Sequence, residues 1–276
     1  MKGLLYVSEN VYESPFVGEV KEGLKTAILG RSIHYFQIIE STNKVARELA
    51  ENGAFEGTVV IAEEQTEGRG RRGRSWFSSP ENLLLSVILR PDTSPSMVHI
   101  VTLMAGVAVA KTIRQYGINA RIKWPNDIII NNKKVCGILS EVSAEKGTVN
   151  YVILGIGINV NVDINQYPEE IKEKATSLKA ELGKELPRIE FLQSLLWELE
   201  YEYKSFNRDE HSTISDEYKE LSDTLGSWVQ VTTEKEVFQG EAIEINHYGA
   251  LVLKLQDGTF RTIFTGDCTH CRSIGI

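Results

Sequence analysis

Residues 68–74 read Gly-Arg-Gly-Arg-Arg-Gly-Arg, four guanidinium groups and three glycines in seven positions. That much charge cannot enter an apolar core, and glycines so spaced disfavour both helix and strand. Whatever fold the chain adopts must therefore carry this segment outside, as an exposed, mobile loop. Just before it, residues 58–62 (Thr-Val-Val-Ile-Ala) read as a strand that delivers Glu63, Glu64 and Gln65 to the loop. Beyond it, residues 82–90 contain a nearly continuous apolar run, expected to be a covered strand. A loop braced by strands at both ends is a common way to present binding groups on a rigid sheet. Its glycines let backbone N–H groups approach a ligand closely, and its guanidinium forks suit phosphate or carboxylate.

The remaining chain predicts the sheet's partners. Residues 34–39 read as a strand, and residues 44–52 have helical spacing with Ser41 or Thr42 as N-cap. Residues 96–116 predict a long, small-residue-rich buried helix. Its most apolar stretch, residues 97–110, falls short of the ~20 residues needed to span a bilayer. Asn131-Asn132 separates two apolar runs as a two-residue hairpin turn. Residues 150–160 form a further strand, and residues 187–206 an amphipathic helix begun by Pro187. Residues 213–225 predict another helix, closed by Gly226. Thereafter short β runs punctuated by turns predict a small barrel. Residues 1–22 show no long period and read as an arm or short strand. The expected organisation is an arm (1–24), a larger domain (25–226) and a small barrel (227–276). The fold class is α+β: a mixed sheet backed by helices, then a small β-barrel.

Charge narrows the function. With 30 Lys plus Arg against 38 Asp plus Glu, the net charge of −8 opposes general attraction to nucleic acid. One concentrated basic loop on an acidic chain is better matched to a small anion. The three cysteines, Cys136, Cys268 and Cys271, argue against a disulfide framework and for a reducing cytoplasm. Cys268 and Cys271 lack the second ligand pair that a zinc site needs, so free thiols are expected and no metal ligands are assigned. No signal peptide is visible.

A second constellation, Lys123-Trp124-Pro125-Asn126-Asp127, follows the loop by about fifty residues. Lys123 on an apolar-flanked strand either snorkels to the surface or holds an anion; beside the arginine loop, the second reading is favoured. The loop is not a Walker A motif, and Gly155-Ile156-Gly157 lacks the third glycine of a dinucleotide fingerprint. Ser41-Thr42-Asn43, the Gln65-to-Trp76 segment, residues 123–127 with 134–139, and Gly155-Ile-Gly-Ile-Asn159 together resemble the biotin protein ligases. Residues 175–178 and Gly266-Asp267 extend that likeness from about residue 24 to the end.

The resemblance implies a fold shared with biotin and lipoate ligases and class II aminoacyl-tRNA synthetases, the C-terminal barrel being SH3-like. It implies a two-step reaction using biotin, ATP and Mg²⁺: formation of biotinoyl-AMP, then transfer to a lysine of a biotin carboxyl carrier protein. By that resemblance Ser41, Thr42, Asn43, Gln65, Gly68, Arg69, Gly70, Arg71, Lys123, Gly137 and Gly157 would contact biotin. Arg69, Arg71, Arg72, Trp76, Lys123, Asn126 and Asn159 would contact ATP. Lys123, Arg69 and Arg71 would be catalytic. A lipoate ligase of the same fold is the alternative, and a nucleic-acid module a remote third. Ligases that double as repressors carry an N-terminal helix-turn-helix domain of roughly sixty residues, whereas only about two dozen precede the matching region here, so DNA binding is not expected. A homodimer formed through an exposed sheet edge is compatible with the pattern.

Overall fold

A computed structural model describes residues 14–271. Seven strands form the main mixed sheet: β1 (Ile33–Ile39), β2 (Val59–Gln65), β3 (Asn82–Leu89), β4 (Arg121–Lys123), β5 (Asp127–Ile130), β6 (Lys133–Glu145) and β7 (Thr148–Asn159). Their order is β1-β2-β3-β7-β6-β5-β4; β1 and β2 run parallel and every other neighbour antiparallel. Every residue of β3 is buried, as its unbroken apolar run requires. The Asn131-Asn132 turn has both residues at positive φ (50° and 62°), the conformation a two-residue hairpin demands.

One face of the sheet is covered by α3 (Val98–Arg114), itself packed under α6 (Arg188–Asn207) and α7 (His211–Leu221). Residues 95–114 are long and apolar enough to cross a membrane, more so than the shorter run at 97–110 implied. Here they are core: thirteen residues of α3 are buried between the sheet and the other helices. The opposite face is only partly covered. There α2 (Thr42–Glu51) sets Ala46 and Ala50 against Val60, Ile88 and Ile153. The rest of that face is left open, and the site lies there.

Residues 15–23 differ from the arm that their lack of period implied. They form α1 (Pro15–Gly23), entered by a proline in the first turn and anchored by Val17 and Val20. Gln193 donates to the carbonyls of Glu19 and Val20, docking α1 on α6. The first thirteen residues lie outside the described range. Two short helices, α4 (Glu169–Lys172) and α5 (Leu178–Leu182), connect β7 to α6. After Gly226, at φ 77°, come β8 (Trp228–Thr232), β9 (Val237–Ile245), β10 (Leu251–Leu255), β11 (Phe260–Ile263) and β12 (Asp267–His270). They form a five-stranded antiparallel sheet ordered β11-β10-β9-β8-β12, the SH3-like unit, with no pairing between its outer strands to close a barrel.

The helical layer stores a proton. Lys111 of α3 meets Glu202 at 2.7 Å, Glu217 at 2.6 Å and Glu198 at 3.7 Å. One ammonium cannot neutralise three carboxylates. Burial pushes Glu202 up to about 7 against the pull of Lys111, and Glu217 adds to the rise. The folded protein therefore holds a proton that the unfolded chain releases near its ordinary value of 4.5. The stability this contributes is complete below that value and is lost as pH rises toward 7. Melting temperatures measured across that window should fall with rising pH, and Glu202→Gln should flatten the slope. An equally steep slope in the variant would rule Glu202 out as its source.

Candidate active site

The N-terminus of α2 opens onto the uncovered face of the sheet. Ser41 occupies the N-cap position, but its side chain makes no cap bond. Gln65, at the end of β2, caps instead: its Oε1 accepts from the Thr42 backbone N–H at 2.8 Å and from the Thr42 hydroxyl at 3.1 Å. Buried Ser86 lies 2.7 Å from the Thr42 hydroxyl and 2.6 Å from Asn43 Oδ1, and Asn43 donates to Glu141 at 2.9 Å. These bonds fix three polar side chains at a positive helix end, a setting suited to a polar or anionic ligand.

The floor is made by glycines. A Cβ on Gly155 would stand 2.1 Å from Asn43 Oδ1, and one on Gly157 would stand 2.7 Å from the Trp76 ring. The indole thus lies flat on the strands, with Gly137 also beneath it. Its Nε1 is buried without a hydrogen-bond partner among the described residues, a donor that an incoming acceptor would satisfy.

Over this floor folds the arginine loop. Its neck is shut: Gln65 N–H donates to Ser78 Oγ, which donates back to Gln65 O, and Trp76 N–H donates to Gly68 O. Arg71 donates to Asn126 Oδ1 at 3.1 Å, to Gly266 O at 3.2 Å and to Thr265 Oγ1 at 2.7 Å. All three acceptors are neutral, and burial pushes this guanidinium below its ordinary value. Asn126 donates in turn to Ile138 O at 2.7 Å.

The resulting cavity, about 130 Å³, is lined by Ser41, Thr42, Asn43, Gln65, Arg69, Gly70, Arg71, Trp76, Asn126, Gly137 and Gly157 from the expected set. Four expected residues are placed elsewhere. Gly68 is buried at the neck, where a Cβ would meet Trp76 O at 2.5 Å. Arg72 turns to the C-terminal sheet and lines a second, neighbouring cavity of about 300 Å³. Asn159 is buried structure: it donates to Thr176 O at 2.9 Å and accepts from the Tyr167 hydroxyl at 3.2 Å. Lys123 lines neither cavity; it stands on the sheet's outer strand β4, near enough to Cys268 to oppose the burial that raises that thiol.

The ammonium in the cavity belongs to Lys134. It pairs with Asp127 at 2.6 Å and lies 5.4 Å from the centre of the Trp76 ring. A β-bulge brings it there. The register pairs Asp127 with Gly137 and Ile128 with Cys136, then skips Val135 to pair Ile129 with Lys134. That extra residue turns Lys134 onto the face shared by Asp127 and Gly137, opposite to regular alternation. On its other edge Lys134 N–H donates to Lys174 O, and Thr176 N–H donates to Lys134 O, which holds the irregular strand in place. Arg74 also lines the cavity. Its place within the basic run was the available signal; for Lys134 only the Lys-Val-Cys-Gly segment marked the neighbourhood.

A mixed sheet with one parallel edge, a glycine floor, a helix N-terminus and a basic loop together frame a polar, cationic pocket suited to an anionic ligand. Residues 35–159 match the Biotin/lipoate A/B protein ligase family, and residues 224–270 match the Biotin protein ligase C terminal domain. The chain is 40% identical over 251 residues to the bifunctional ligase/repressor BirA of Bacillus subtilis, covering 90% of this chain and 77% of that protein. It is 35% identical to the biotin–[acetyl-CoA-carboxylase] ligase of Mycobacterium tuberculosis, covering 84% and 86% respectively. The biotin protein ligase of Aquifex aeolicus, solved with biotin and ATP, superposes with a TM-score of 0.76 at 29% identity, over 88% of this chain and all of that one. This chain belongs to the biotin protein ligase family.

Proposed function

We propose that the cavity joins biotin to ATP and then passes the biotinoyl group to a carrier-protein lysine. In the first step a biotin carboxylate oxygen attacks the α-phosphorus of ATP and pyrophosphate leaves, giving biotinoyl-AMP. In the second, a lysine amine attacks the acyl carbon, AMP leaves and the amine gives up a proton. The observation that carries this reading is the convergence of Lys134, Arg69 and Arg71 on one small cavity beside the polar start of α2. Both reactants of the first step are anions, so their repulsion must be cancelled before they can meet. Lys134, held by Asp127, supplies a fixed positive charge, and Arg71, whose hydrogen bonds go to neutral acceptors, supplies one with no direct ion pair among the described residues. Ser41, Thr42, Asn43 and Gln65 supply the polar end for the ureido head, and Trp76 with its unpaired N–H lies beside it.

Asp127 is the cavity's single carboxylate, which suits a Mg²⁺ carried in on ATP phosphates rather than one caged by protein ligands. The relatives named for acetyl-CoA carboxylase support a biotin carboxyl carrier domain as acceptor. Pyrophosphate exchange into ATP should depend on biotin and not on lipoate, and an acceptor domain should gain the mass of one biotinoyl group. Exchange driven equally by lipoate, or an acceptor left unmodified, would overturn the assignment.

A further inference from the structure

The loop's four arginines are not equivalent. Asp267, at the start of β12, accepts from Arg74 Nη2 at 2.7 Å through one carboxylate oxygen and from Arg72 Nη1 at 3.2 Å through the other. Arg72 Nη1 also donates to Thr232 O at 3.0 Å, and Thr232 is the residue that Asp267 faces across the β8–β12 pair. Arg71 reaches Thr265 and Gly266 in the same turn. One corner of the C-terminal sheet therefore binds three arginines of the loop, with the Asp267 carboxylate spent on Arg72 and Arg74. Arg71 has no ion pair among the described residues, and Arg69 meets only exposed Glu67 at 3.8 Å.

The backbone agrees. Arg72 sits at φ 56°, ψ 39°, left-handed and unfavourable for a residue with a Cβ. Such a conformation persists only where its surroundings impose it, and the bonds to Asp267 and Thr232 do so. The two guanidiniums outweigh the burial of Asp267 and hold its carboxyl below the usual range.

We propose that Asp267 is a positioning residue that anchors the arginine loop from the C-terminal sheet through Arg72 and Arg74, leaving Arg69 and Arg71 for the ligand. The division rests on the ligase reading only for what Arg69 and Arg71 bind; the contacts of Asp267 with Arg72 and Arg74 do not depend on it. Limited trypsin digestion of the full-length protein, with cleavage after Arg69 and Arg71 mapped by mass spectrometry, reads it directly. Asp267→Asn should raise that cleavage by about tenfold, since local opening is governed by such tethers. Asp267→Glu should restore most of the protection, and Asp257→Asn, an exposed acid in the same sheet, should behave as wild type. Arg74→Gln breaks the tether from the loop side without touching the C-terminal sheet and should give the same acceleration after Arg69. Unchanged cleavage in Asp267→Asn, or equal acceleration in Asp257→Asn, would overturn the proposal whether or not the chain ligates biotin.

Discussion

Lys134→Ala should cost about 3 kcal/mol of transition-state stabilisation, on the order of a hundredfold in the rate of biotin adenylation. The alanine removes the cavity's one ammonium, and it leaves the Asp127 carboxylate of the same cavity without its Lys134 partner. The second effect adds to the first, because an uncompensated carboxylate repels both substrates. Lys123→Ala is the matched control. Its ammonium lies outside the cavity, so its loss should change the rate by less than about tenfold, within the range of a peripheral charge. Single-turnover formation of biotinoyl-AMP separates the two variants. Equal losses in both, or the larger loss at Lys123, would remove Lys134 from the role argued for it.

Gly157→Val should abolish biotin binding while the protein stays folded. A Cβ there already stands 2.7 Å from the Trp76 ring, and two further methyl groups would occupy the floor itself. Valine suits an extended strand, so the backbone of β7 has no reason to distort. The indole must lift away, and the cavity of about 130 Å³ fills from below. Titration calorimetry should show at least about a hundredfold weaker biotin binding, with a melting temperature within a few degrees of wild type, as for a surface change that leaves the core intact. Binding within a few-fold of wild type would mean that the ligand does not use this floor.

Much of this architecture is legible in the residues because local and tertiary preferences agree. Residues 68–74 form a loop as their composition requires, although Gly68 is buried and Arg71, Arg72 and Arg74 tie it down where an exposed, mobile segment was expected; the continuous apolar run of β3 could only be buried, and Asn131-Asn132 turned as its chemistry demands. Where the reading failed, a non-local bond or a register irregularity decided the outcome. The period-2 rule cannot foresee the skipped Val135, so Lys123, on a regular strand before Trp-Pro, looked the better cation. Helix α1 is too short and too weakly periodic to announce itself without α6 beneath it. Asn159 has the residue type of a ligand contact, but Asn82, Tyr167 and Thr176 claim its amide. Arg72 and Arg71 are indistinguishable in sequence, and only the carboxylate of a distant strand separates them.

The closed neck of the arginine segment has a thermodynamic consequence. Ordering a free coil costs about 1–2 kcal/mol for each residue fixed, enough to consume the affinity of a small substrate. Here Gln65 and Ser78 are already clasped, and the strand ends on either side do not part. A loop clasped at its neck and tied to Asp267 through Arg72 and Arg74 leaves few backbone torsions to be fixed when a ligand arrives. More of the intrinsic attraction between cations and anions then survives as affinity.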